Sequence, residues 1–166
     1  YCNLVLNSTP GRTLLFGMPL IHVGGSLRQA PAALSGGNCL VVLSAAGWRN
    51  PAALKHLWPL VDRYKPELLS SVPTILAAAL MSPVGAADLS SLKYCAGGGS
   101  AIPVAVASAL QDKFKTPVIE VYGMTETASV HTLSYPERPI RLGSVGHPAP
   151  YRRGRTGPTA ADGRYP

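Results

Sequence analysis

Acidic side chains are scarce in this chain: eight Asp and Glu stand against fifteen Lys and Arg in 166 residues. The resulting charge of +7 forms no stripe of Lys and Arg interleaved with aromatics, so a nucleic-acid partner is not expected. Much of it lies at one end, where Arg152, Arg153, Arg155 and Arg164 face Asp162 alone; the remainder reads as a mildly basic surface. Cysteine is sparse as well. Cys2, Cys39 and Cys95 are odd in number and lack C-x-x-C spacing, which argues against a disulfide framework and a zinc site. Three reduced, mostly buried thiols in a cytoplasmic protein are expected instead. Residues 68–87 contain no charge, a stretch long enough to raise the question of a membrane span. Pro73, Pro83, Ser70, Ser71 and Ser82 interrupt it, so the expectation is a buried strand, a turn and a short helix, with no transmembrane segment. A signal peptide is not expected, since the sequence opens at Tyr1 without a basic start, and no internal repeat is visible. The expected location is the cytoplasm, free or peripheral to a membrane.

What the chain does have is apolar mass and punctuation. Hydrophobic residues make up 46%, enough for one globular domain with a sizeable core. Sixteen prolines and seventeen glycines favour many short elements over long helices. Thr13–Pro19 is a short apolar run, and 24–34 reads as a helix of small residues. Asn38–Leu43 is continuous and β-branched, as expected of a strand buried on both faces. Asn50 and Pro51 supply an N-cap and a first helical residue, after which Leu54, Leu57, Trp58, Val61 and Tyr64 share one helical face. Pro59 interrupts that face, predicting a kink or two short helices. Glu67–Val72 is the next strand, and Pro73 opens a helix ending near Met81. Leu92–Ala96 is a strand; Pro103 opens a helix with Val104, Ala107 and Leu110 inward, ending near Phe114; Val118–Tyr122 is a strand. Strands alternating with helices predict an α/β fold with right-handed crossovers and a largely parallel sheet.

In such a sheet, ligands bind outside the carboxyl ends of the strands, where two loops stand out. Gly97, Gly98, Gly99, Ser100 and Ala101 follow one strand; Gly123, Met124, Thr125, Glu126 and Thr127 follow the next. A triple glycine lets a flat ligand lie on bare backbone, and Tyr122 can offer an aromatic face. Thr125 and Glu126 set a hydroxyl beside a carboxylate, a pairing suited to a phosphate and its magnesium ion, which prefers hard oxygen ligands. A base, a phosphate and a metal suggest a nucleotide. Taken singly, each feature has a plainer reading: three glycines as a turn, Thr125-Glu126 as a helix cap, Tyr122 as core. The remaining histidines read plainly too, His56 on a helix surface and His131 and His147 in loops, and Asp88 reads as a cap.

The order of these loops carries a family likeness. Tyr122–Glu126 (YGMTE), preceded by Gly98–Pro103 and followed by Gly143–Pro148, resembles the adenylate-forming superfamily, whose members include acyl-CoA synthetases, luciferases and peptide-synthetase adenylation domains. The run from Gly17 to Gly25 (GMPLIHVGG) and Ser71–Thr74 are similar to two further landmarks, so the likeness spans about residues 13–150. It implies part of the large N-terminal domain of an adenylate-forming enzyme. Tyr122 would pack on adenine with backbone from Gly98 to Ala101 on its other side, and Gly123 and Met124 would complete the AMP site. Thr125 would bond the α-phosphate and Glu126 would ligate Mg2+. His22 and Gly25 would line the acyl pocket, with Met124 near the reacting carboxylate; a partly buried structural histidine is the alternative for His22. Ser100-Ala101 stands where the family often has Ala-Pro, a tolerable change because backbone contacts matter most there.

The implied reaction uses ATP to convert a carboxylic acid, fatty or aromatic, to acyl-adenylate and pyrophosphate, after which coenzyme A displaces AMP. Met124 favours acyl- or aryl-CoA synthetases, since peptide-synthetase domains commonly have proline there. The family's phosphate loop ending in Pro-Lys-Gly, its ribose-binding aspartate, its hinge and its catalytic lysine do not occur in residues 1–166. Residues 1–150 are therefore expected to be a partial AMP-binding domain, and the chain by itself inactive. The alternatives are a nucleotide-binding relic, another branch of the superfamily, or a flavodoxin-like domain for a different cofactor. Residues 151–166 lack apolar periodicity and are expected to be an aberrant or disordered Arg/Gly/Pro-rich tail, from about 152 in a shifted reading frame or a sequence error. If neither other frame of the DNA restores alternating strand-like sequence, that explanation fails.

Overall fold

The computed structural model describes residues 10–152; the tail expectation falls on residues 153–166 for the most part, outside the described residues. Seven strands form one sheet in the order β2-β1-β3-β4-β5-β6-β7. They are β1 Thr13–Phe16, β2 Cys39–Val42, β3 Leu68–Ser71, β4 Tyr94–Gly98, β5 Val118–Met124, β6 Ser129–Leu133 and β7 His147–Pro148. β1 to β5 run parallel, as the strand–helix alternation predicts. β6 and β7 add antiparallel to that core, and they correct the placing of His131 and His147 in loops: both lie in strands. S-V-H-T-L does not alternate strictly, since its buried residues Val130 and Leu133 stand three apart, and the β5–β6 register is irregular, so the usual strand signal is weak here.

Between β1 and β2 the chain makes a π-helical turn, Gly24–Gln29, that continues into α1, Ala30–Ser35. α2 (Pro51–Lys55) and α3 (Leu57–Tyr64) are the two short helices that Pro59 predicts. The break falls at His56, so Pro59 occupies the first turn of α3, where an amide N–H would have no intrahelical acceptor. Asn50 caps α2 by accepting from Ala52 N at 3.0 Å. α4 (Pro73–Met81) and α5 (Val104–Phe114) complete the set. None of the helices among the described residues is long and apolar enough to cross a membrane, and the uncharged stretch 68–87 becomes β3 and α4.

Alternation along the strands divides the sheet into two faces. Leu15, Leu69, Cys95 and Val118 point to one side and bury against Leu57, Trp58, Val61, Leu76, Ala107 and Leu110 from α3, α4 and α5. Trp58 packs on Phe114 with ring centroids 4.9 Å apart and donates its indole N–H to Ser82 O at 3.3 Å. Leu14, Leu68, Tyr94, Ala96, Ile119 and Val121 point the other way, toward α1.

Several local expectations change. β2 is not buried on both faces: it lies at the sheet edge, and Val42 is exposed. A continuous β-branched run cannot by itself tell an edge from a centre. Val104 is exposed rather than inward, because it begins the first turn of α5 and rides out past the core. The fourth strand starts at Tyr94, with Leu92 buried in the approach to it. Cys39 is exposed while Cys95 is buried, so only one of the two described thiols fits the core expectation; Cys2 lies outside the described residues. Asp88 accepts from Ser90 N at 2.9 Å in a turn rather than at a helix start.

Candidate functional site

β4 and β5 are direct neighbours, with Gly97 opposite Glu120 and Gly98 opposite Val121. The triple-glycine loop and the Gly123–Thr127 turn therefore leave the same end of adjacent parallel strands, the end where α/β sheets bind ligands. Gly98 lies so close to β5 that an added Cβ would stand 2.7 Å from Val121 O, and Gly99 takes a left-handed φ of +86°. The backbone here is open on its outer side, with Gly99, Ser100 and Ala101 all exposed.

Tyr122 sits at the end of β5, 40% exposed, so its ring is available to a ligand and is not core. His131 reaches it from β6: the rings meet edge to face, centroids 6.3 Å apart and planes at 90°. This contact was invisible in the sequence because β6 was read as a loop. The next residues form a single 3₁₀ turn, Thr125–Thr127, between β5 and β6. Thr127 fixes it, donating its hydroxyl to Met124 O at 3.1 Å and accepting from Met124 N at 3.3 Å. Thr127, present in the loop motif without a stated role, thus holds the turn in place. Thr125 and Glu126 stand exposed on that turn, and none of the ion pairs among the described residues engages Glu126.

The following glycine motif is tied to the same strand. Glu120, buried on β5, accepts from Gly143 N at 3.1 Å, which draws residues 143–148 against the β5–β6 hairpin. β7 then closes the edge by pairing Leu133 with His147.

His22 and Gly25 lie on the connection after β1. His22 is exposed, contrary to the partly buried alternative, and its Nδ1 accepts from Gly24 N at 3.0 Å. That bond engages Nδ1 and helps to orient the ring. Gly25 is buried against the Pro19 carbonyl, which an added Cβ would approach to 2.3 Å, a packing reason for glycine that needs no ligand. A cavity of about 240 Å³ lies on the α1 face of the sheet. Its lining includes Ala96, one residue before the glycine loop, Val121, two residues before Gly123, and Arg28 and Gln29, which follow Gly25 on the π-helical turn. His22, Gly25 and Met124 do not line it, so the cavity lies beneath the loops and is separate from them.

The strongest titration effects lie away from this corner. Burial pushes the Cys95 thiol up, against a smaller opposing effect from the Thr116 hydroxyl. Lys65 holds the Asp88 carboxyl below the usual carboxylate range, helped by the Ser90 amide. Among the described residues no group of three or more His, Cys, Asp or Glu converges on a point. A magnesium ion here would take one carboxylate, Glu126, with phosphate and water oxygens completing its shell, a donor set that suits this ion.

A family model described as AMP-binding enzyme matches residues 2–154. Marinolic acid–CoA ligase from a Pseudoalteromonas strain is 32% identical over 144 residues, covering 87% of this chain and 22% of that protein. Sulfoacetate–CoA ligase from Cupriavidus necator is 33% identical over an aligned length of 180, covering 98% of this chain and 33% of that protein. The chain thus spans from about a fifth to a third of the length of these relatives. Among solved structures, an anthranilate CoA ligase in complex with anthranoyl-AMP superposes with a TM-score of 0.77 at 24% identity, over 90% of this chain and 28% of that one. A benzoate CoA ligase from Burkholderia xenovorans gives 0.77 at 20%, over 90% and 30%. At these identities the structural likeness establishes the fold.

Proposed function

From the AMP-binding enzyme family, to which this chain belongs, we propose that it contributes the nucleotide corner of an acid–CoA ligase. The observation that carries this reading is the pairing of β4 with β5, which sets an exposed glycine backbone beside an exposed Tyr122 and a Thr-Glu turn. Adenine would lie between the Tyr122 ring and the backbone from Gly98 to Ala101. Thr125 would donate to an α-phosphate oxygen, and Glu126 would hold Mg2+, with Gly123 and Met124 at the edge of the AMP site. When bound, the metal supplies charge neutralisation as the anionic acid approaches the anionic phosphate. The turn's own contribution is position: Thr127 bonds both backbone atoms of Met124, so the hydroxyl of Thr125 and the carboxylate of Glu126 are presented without a loop to order.

In the first step an acid oxygen bonds the α-phosphorus of ATP and pyrophosphate leaves. In the second, the sulfur of coenzyme A bonds the acyl carbon, and the carbon–oxygen bond to AMP breaks. His22 and Met124 would face the acid. Fatty and aromatic acids both suit this reading, since the relatives' names include a long-chain fatty acid and indoleacetate. Catalysis is proposed for the complete protein, and the 166 residues alone are expected to release no pyrophosphate.

The test is pyrophosphate release dependent on acid and Mg2+ by the complete protein. Glu126→Gln is expected to lower kcat on the order of 10²-fold or more, the scale seen when one electrostatic contact to a transition state is removed. Unchanged activity in that variant would sink the metal role.

A further inference from the structure

The β5–β6 hairpin is irregular at the point where it presents Tyr122. Tyr122 stands opposite Thr132, but Gly123 stands opposite Val130, so His131 is one residue too many for the ladder. That extra residue explains the broken alternation of β6, whose Val130 and Leu133 are both buried in one cluster with Ala149. In a regular ladder His131 would fall opposite Gly123 and point to the other face of the sheet from Tyr122. The bulge turns it instead onto the Tyr122 ring, at 90° with centroids 6.3 Å apart. Bulges recur beside active sites because the added residue re-aims a side chain.

The bulge is held through its backbone. Ala149, just past β7, donates its N–H to His131 O at 2.8 Å, tying the extra residue down from the outer side of the hairpin. His131 Nδ1 is buried and has no hydrogen-bond partner among the described residues, so no bond at that nitrogen sets the ring against Tyr122. An edge-to-face contact occupies at most one face of the Tyr122 ring and leaves the other for a flat base. Tyr122 is 40% exposed, and a side chain so exposed loses rotamer freedom when a ligand stacks on it. A neighbour that fixes the ring beforehand lowers that cost.

We propose that His131 is a positioning residue for the nucleotide: it holds the Tyr122 ring in the orientation that stacks on adenine, and it acts through that ring rather than on the phosphates. This rests on the reading of Tyr122 as the adenine platform.

Affinity of the complete protein for MgATP and for inorganic tripolyphosphate with Mg2+ tests it. His131→Ala is expected to weaken MgATP binding about three- to tenfold, the scale of one aromatic pair and one ordered side chain, and to leave tripolyphosphate binding unchanged. His131→Leu, which fills the bulge without a ring, takes its place if His131→Ala does not fold. His131→Phe keeps an aromatic edge and gives up no hydrogen bond at Nδ1, so it should bind MgATP as the unaltered protein does. Combining His131→Ala with Tyr122→Ala should cost no more ATP affinity than Tyr122→Ala alone, because the first residue acts only through the second. Unchanged ATP affinity in His131→Ala, equal weakening of ATP and tripolyphosphate, additive losses in the double variant, or failure of His131→Phe to restore binding would overturn the proposal while leaving the adenine reading intact. If Tyr122→Ala itself leaves ATP binding unchanged, the adenine reading fails and the proposal with it.

Discussion

The two faces of the sheet are made from alternate residues of the same strands, yet they are built for different ends. On one, Leu15, Leu69, Cys95 and Val118 meet helices and leave no room; on the other, Leu14, Ser70, Ala96 and Val121 border a cavity. The first face is mainly apolar, with the Cys95 thiol against the buried Thr116 hydroxyl as a polar exception, while the second admits Ser70 and Gln29. A one-residue step along a strand is therefore the difference between filling the core and bordering a cavity. The lesson is that period-2 alternation separates close packing from open space more finely than any domain boundary could.

That contrast can be tested by mutation. Leu110→Ala opens a hole in a fully buried position under β4 and β5 and should cost about 2–5 kcal/mol in urea unfolding. Leu14→Ala on the cavity face removes a side chain that already borders empty space and should cost well under half as much. Equal losses would mean that the cavity face is packed as tightly as the other.

The cysteines offer a chemical version of the same comparison. Cys39 is exposed on the edge strand, and Cys95 is buried with its thiol pushed up by burial. Because the thiolate is the reactive form, iodoacetamide should modify Cys39 at pH 8 while sparing Cys95 until the protein unfolds, as read by peptide mapping. Early modification of Cys95 would show that the helix-covered face opens readily.

The smallest effect belongs to neither face. Asp88 sits in the turn before β4, its carboxyl held low first by Lys65 and then by the Ser90 amide. A depressed carboxyl stabilises the fold above its unfolded value of about 3.9, and that contribution fades as pH falls below about 4. Both partners are exposed and screened, so Asp88→Asn should barely alter stability at pH 7 and should slightly flatten its decline below pH 4. A large change at neutral pH would mean that the turn matters more than its exposure suggests.

Much of the helix-covered face was legible in advance. Strand order of types, the proline-led starts of α2 and α4, and the inward set Leu57, Trp58 and Val61 follow from periodicity and capping. The two candidate loops were legible as motifs, and the strands that carry them, β4 and β5, pair directly. What escaped notice depends on non-local partners. β2 reads as buried on both faces because side-chain type does not report how many neighbours a strand has. β7 has only two residues and β6 lacks strict alternation, and their histidines looked like loop residues until the hairpin set His131 against Tyr122. Gln29 and Ser70 stand 41 positions apart, and nothing local to either hints at their bond.

One consequence of the Thr125–Thr127 turn concerns time. Because it joins β5 to β6 directly, Thr125 and Glu126 sit at the tip of a hairpin spanning residues 118–133. A hairpin can close in about 1–10 μs, whereas pairing β4 beside β5 must wait for α5 to cross over. The Thr125–Thr127 turn is thus expected to form before the Gly97–Ala101 loop is set beside it. Pulsed hydrogen exchange during refolding should show amides of the β5–β6 ladder protected ahead of those joining β4 to β5. Simultaneous protection would mean that the corner assembles in one piece.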